Sequence, residues 1–143
     1  MKLRIKGNTI RLRLTEPEVG VLASEGAVEE RTVFPNGSTL VYRLVSDSAA
    51  RESGAGFKDG VIIVWLPTAA VGRWARGTVV GLEFVSPLKD GGELRVLVEK
   101  DFACLHSGSG GREVGAYPNP RMGGVCDAQT KAHGRDAHAT EEE

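Results

Sequence analysis

Few residues in this chain announce a chemistry. Two cysteines in 143 residues are too few for the disulfide framework that staples small secreted domains. Aromatic residues make up only 6%, and none interleaves with the cations near the N-terminus, which argues against a stacking platform for single-stranded nucleic acid. Neither sign of charge prevails. The formal net charge is −1, so the molecule as a whole exerts no pull on nucleic acid or an anionic membrane, and such a partner would need a local patch. No stretch approaches the ~18 apolar residues of a membrane span. The first residues alternate instead of running apolar, unlike a signal peptide. These absences predict a cytoplasmic protein with reduced thiols and no membrane partner.

Catalytic signatures are missing too. No nucleophile stands beside a base. Gly108-Ser109-Gly110-Gly111 follows a strand but lacks the lysine and the helix of a phosphate loop, and reads as flexible linker. The balance favours a non-catalytic binding or interaction module over an enzyme, and no cofactor is indicated. The length is one domain's worth, enough to bury a core without staples.

What is present begins with Lys2 to Leu14. Leu3 and Ile5 alternate with Lys2, Arg4 and Lys6, and after Gly7-Asn8 the alternation resumes as Ile10, Leu12 and Leu14 against Arg11 and Arg13. Two alternating runs around such a link predict a tight hairpin, with Lys6 opposite Thr9, Ile5 opposite Ile10 and Leu3 opposite Leu12. One face is then apolar, and Lys2, Arg4, Lys6, Arg11 and Arg13 share the other. Thr15-Glu16-Pro17-Glu18 follows as a capping box, Val19, Leu22 and Ala23 form a buried stripe, and Gly26 stands where a left-handed stop belongs. Ala27 to Phe34 and Ser38 to Val45 read as strands around the turn Pro35-Asn36-Gly37. Asp47 to Gly54 reads as a linker.

The order then repeats. Phe57 to Leu66 matches Ile5 to Leu14 at an offset of 52, with Asp59-Gly60 in the turn position, and Trp74 matches Leu22. Val79 to Ser86 and Glu93 to Lys100 supply the second pair of strands around Lys89 to Gly92. This predicts an α+β, predominantly antiparallel β fold with duplicated strand–strand–helix–strand–strand halves (1–46 and 55–100), packed as a pseudo-twofold sheet pair or barrel. The domain runs from 1 to 105, a Gly/Pro-rich extension from 106 to 126, and a polar, acidic tail from 127 to 143 that is expected to be disordered. In the second half Ile63 and Trp65 replace Arg11 and Arg13, so that strand is apolar on both faces. It is expected to be central, to be covered by a helix, or to press on another subunit as a homodimer through Ile63 and Trp65.

Two constellations carry potential chemistry. The first is the row Lys2, Arg4, Lys6, Arg11 and Arg13. Like charges on paired strands repel, so the row points either to an anionic ligand or to pairing with acids such as Glu29, Glu30, Glu83 or Glu99. The second is Cys104 with His106 and Cys126, as a metal or redox site, a disulfide, or two free thiols; His133 and His138 add zinc-like spacing further on.

The V-I-I-V-x-L-P strand, short helix and glycine resemble the half-units of swapped-hairpin regulators, which implies a DNA-binding alternative. The start M-K-L-R-I-K-G-N-T-I-R-L-R-L, the motif Val98-Glu99-Lys100-Asp101-Phe102-x-Cys104-Leu105, and Tyr117-Pro118-Asn119-Pro120 with Cys126 resemble a family of short bacterial proteins catalogued as a domain of unknown function. The resemblance covers most of residues 1–126 and implies no assigned activity.

Overall fold

The computed structural model describes residues 1–102 and residue 117. Its elements in chain order are β1 (Lys2–Lys6), β2 (Thr9–Leu14), α1 (Glu16–Glu25), β3 (Ala27–Val33), β4 (Thr39–Asp47), β5 (Gly54–Lys58), β6 (Val61–Pro67), α2 (Thr68–Arg76), β7 (Gly81–Pro87) and β8 (Glu93–Lys100). The Gly/Pro-rich extension, with the exception of Tyr117, and the acidic tail lie outside the described residues.

The N-terminal hairpin forms in the expected register, with Ile5 opposite Ile10 and Lys6 opposite Thr9. Gly7 takes φ 52°, a conformation that a residue without Cβ adopts at no steric cost. The first helix starts and stops where its cap residues stand. Glu18 accepts the Thr15 backbone N–H at 2.9 Å, and Gly26, at φ 85°, donates its N–H to the Leu22 carbonyl. Val19 and Leu22 of α1 are buried, as are Val71 and Trp74 at the matching positions of α2.

The strands form two four-stranded mixed sheets, β1-β2-β8-β7 (sheet A) and β3-β4-β6-β5 (sheet B). They do not close into a barrel. Each sheet joins the first hairpin of one half to the second hairpin of the other, and the joint is parallel: β2 on β8, and β4 on β6. The pairing repeats at equivalent positions. Leu12 lies beside Val98, and Val64 lies beside Leu44, so 52 residues separate the members of the first hairpins and 54 those of the second. The difference comes from the helix and the connection after it: α2 is one residue shorter than α1, and its connection, Gly77 to Val80, is three residues longer than Gly26 alone.

This exchange of hairpins makes one core out of both halves. Leu12, Leu14, Val96 and Val98 from sheet A meet Leu44, Val64 and Leu66 from sheet B, and the two helices close one end. The period of two that alternates apolar and polar residues along these central strands places the apolar set inward. Ile63 and Trp65 of β6 point to the outside of sheet B. They are half-buried, and the Trp65 ring lies over β5, filling the space that a side chain on Gly54 would need.

Candidate anion-binding face

Register alone lays out the outer face of sheet A. Reading from β1 across to β7, one row holds Lys2, Arg13, Glu99 and Gly81. The next holds Arg4, Arg11, Leu97 and Glu83, and the third holds Lys6, Thr9, Arg95 and Val85. The parallel joint with β8 therefore brings Glu99 and Arg95 beside the hairpin. Arg13 donates from Nε to Glu99 at 3.2 Å, and Arg11 Nε lies 3.6 Å from the same carboxylate. Arg95 is engaged by Glu83 at 2.8 Å and by Glu93 at 3.5 Å. Lys2 Nζ sits 3.1 Å from Asp101 Oδ2, a buried carboxylate oxygen that this ammonium faces without hydrogen-bond geometry.

The five expected cations thus share one face but divide by partner. Lys2 and Arg13 lie toward the helix end, where the acids are. Arg4 and Lys6 make no ion pair among the described residues, and with Thr9 and Arg11 they line a shallow groove of about 240 Å³ near the hairpin turn. Of the acids expected as neighbours, Glu99 and Glu83 stand on this face. Glu29 instead accepts from Arg43 at 2.7 Å, and Glu30 takes the chain terminus. Thr9 and Arg95 belong to the face although their residue types alone did not single them out. The hairpin register places Thr9 there, opposite Lys6, and only the strand order adds Arg95.

The first half carries a second polar cluster, on the inner side of β1. The Met1 ammonium is bound by Glu18 and, at 2.9 Å, by Glu30, and the Tyr42 hydroxyl donates to the Met1 carbonyl at 3.2 Å. Burial opposes the charge on the ammonium, but the hydrogen bonds and charges of Glu18 and Glu30 outweigh it, and its pKa rises above the ordinary 8.0. Burial likewise pushes Glu18 up, yet its bonds to the ammonium and to Thr15 bring it below the ordinary 4.5. Tyr42 is raised by burial and by the nearby Glu30 and Glu18.

The run Val98 to Phe102 serves the fold residue by residue. Val98 is core, and Glu99 holds the two arginines. Lys100 is only 6% exposed: its ammonium donates to the Gly77 carbonyl at 2.7 Å and lies over the rings of Trp74 and Tyr117 at 5.9 and 5.3 Å. Phe102 packs on Tyr117 with ring centroids 5.6 Å apart. Burial and then the charge of Glu16 raise the Tyr117 pKa. Among the described residues no group of three or more His, Cys, Asp or Glu could hold a metal ion. Cys104, His106 and Cys126, with His133 and His138, lie outside the described residues. No helix among the described residues is long and apolar enough to cross a membrane.

A fold of two exchanged hairpin sheets around a shared core, with a charged outer face, defines a β-rich domain. The chain belongs to the family of unknown function DUF7009, whose model matches residues 1–121. No curated protein and no solved structure matches it.

Proposed function

We propose that this protein is a small non-catalytic binding module whose ligand carries a compact anionic group, received by Arg4, Lys6, Thr9 and Arg11. The observation that carries the reading is the unequal neutralisation of one face. Arg13 and Arg95 have acids within hydrogen-bond distance, whereas Arg4 and Lys6 have none among the described residues and border a groove together with Arg11. Arg4 lies directly opposite Arg11, and two cations held side by side on paired strands repel each other unless an anion enters between them. A phosphate or sulfate oxygen set fits two guanidinium forks and a lysine, with the Thr9 hydroxyl as a further donor.

Binding is read from the shift in melting temperature with inorganic phosphate or sulfate, against chloride at the same ionic strength. Saturating anion should stabilise by ~1 kcal/mol or more, by mass action on the native state. Arg4→Ser combined with Arg11→Ile should abolish the shift while leaving the unliganded melting temperature close to that of the parent. An unchanged shift would remove the groove as the site. The metal or redox reading of Cys104, His106 and Cys126 rests on residues outside those described. The regulator reading has no observation on the face to favour it.

A further inference from the structure

The end of the molecule opposite the helices carries a second feature, which the anion groove does not explain. Between the two sheets lies an open apolar cavity of about 540 Å³. This is within the ~300–1,000 Å³ range of small-molecule sites. Its wall is built from three pairs of equivalent positions, Ile5 with Phe57, Ile10 with Ile62, and Leu40 with Leu94. It therefore lies across the junction of the two halves and belongs to neither alone.

The cavity is lopsided, and the sequence says why. Ala55 and Gly56 also line it, whereas neither Leu3 nor Arg4, at the equivalent positions of the first hairpin, does: Leu3 packs against the core and Arg4 lines the groove outside. The second hairpin has exchanged a leucine for an alanine on the inner face, beside Val64, and space remains where that bulk would be. At the mouth, Phe57 is 70% exposed and Ile5 55% exposed. Exposed large apolar side chains grouped around a concave opening are characteristic of a binding site and not of a solvated surface.

Charge at the mouth narrows the ligand. Lys6 and Lys58 directly follow Ile5 and Phe57 at the ends of β1 and β5, and neither makes an ion pair among the described residues. Their side chains start toward the outer faces. A four-carbon stem at a strand end is long enough to bring the ammonium back over the rim. Arg95 and Glu93, the charges next to Leu94, are paired with each other. The charge beside Ile5 on β1 is thus positive, Lys58 supplies its counterpart on β5, and the exposed Asp59 follows Lys58 in the turn.

We infer that this cavity binds a small amphipathic anion, with a medium-length acyl chain or a compact ring system between the sheets and a carboxylate-like head at Lys6 and Lys58. The inference rests on the proposed anion-binding reading only through Lys6, which both sites use.

Calorimetric titration of the full chain with octanoate, and with octanol as its uncharged counterpart, tests it. Octanoate should saturate a single site. Ala55→Leu, which restores the residue of the first hairpin, should weaken both ligands by about tenfold or more, the loss expected when several buried methylenes are excluded. Phe57→Ser, at a largely exposed position that does not threaten folding, should weaken both several-fold. Lys6→Gln with Lys58→Gln should weaken octanoate and spare octanol. Absence of saturation by either ligand would overturn the inference, as would affinities indifferent to both Ala55→Leu and Phe57→Ser. A concentration-dependent dimer that protects Phe57, without octanoate saturation, would assign this end to a second copy of the chain and also overturn it. The phosphate shift lost in the Arg4 and Arg11 variant must survive Ala55→Leu, so the two sites fail separately.

Discussion

The first hairpin, β1 with β2, and its counterpart, β5 with β6, occupy equivalent places in the two sheets and have opposite exteriors. Inside they agree: Leu12 and Leu14 are buried as Val64 and Leu66 are. Outside, Lys2, Arg4, Arg11 and Arg13 stand where the other hairpin has Gly54, Gly56, Ile63 and Trp65. The second set is not a list of separate changes. Trp65 covers the outer surface of β5, and Gly54 is what leaves it room. The first set is likewise concerted, because two arginines on β2 need the Glu99 carboxylate supplied by β8. The difference teaches that the inner face of the central strands, Leu12 and Leu14 or Val64 and Leu66, belongs to the fold. The outer face is where the two hairpins differ in chemistry, one charged and one aromatic.

The largest effect should come from breaking what the hairpins share. Leu12 is 1% exposed in the middle of the core, and Leu12→Ala should cost ~3 kcal/mol in urea denaturation, from lost burial plus the cavity left behind. Leu12→Val, the residue of the other hairpin, should cost about a third of that. Comparable losses would mean that the two inner faces are not interchangeable.

A smaller effect should follow from forcing the second hairpin toward the first on its exterior. A Cβ at Gly54 would stand 2.1 Å from the Trp65 ring, so Gly54→Ala must displace the indole. We expect a loss of ~1–2 kcal/mol and a change in the near-ultraviolet circular dichroism of the aromatic residues. Adding Trp65→Leu should recover most of the stability. Recovery that does not occur would place the strain in the backbone of β5 and not against the ring.

The smallest effect concerns the polar cluster that only the first half has. Glu18 is partly exposed, so Glu18→Gln should cost about 1 kcal/mol once solvent screening is allowed for. Its pH dependence is the more specific readout. The lowered pKa of Glu18 contributes stability that is present above its ordinary 4.5 and is lost as pH falls through the depressed folded value. The raised pKa of the Met1 ammonium contributes stability that is present below 8.0 and is lost as pH rises through the raised folded value. Urea midpoints measured across pH should fall on both sides for the parent chain, and both slopes should flatten in the variant. Retained slopes would assign them to Glu30 or to other groups.

Much of the architecture was legible because it is written at short range. The hairpin register, the capping box at Thr15 and Glu18, the left-handed stop at Gly26 and the repeated element order follow from neighbours within a few residues. The partners of the basic row were not. Glu99 lies 86 residues from Arg13 in the chain, and only the parallel joint of β2 with β8 makes them neighbours. The apolar cavity was equally invisible, since its wall takes residues from both halves and its volume depends on the small Ala55 on the inner face of β5, across from the larger side chains of the other sheet.

By itself, then, the order of residues determined the secondary elements and which side of each strand is apolar, because alternation and cap chemistry act through local geometry. Tertiary structure alone decided that the hairpins cross over between the sheets. Neither half can bury its apolar face alone, and exchange closes one shared core. That exchange is also what brings Glu99 to Arg11 and Arg13, leaves Arg4 and Lys6 beside an open groove, and sets Phe57 across from Ile5 at the mouth of the cavity.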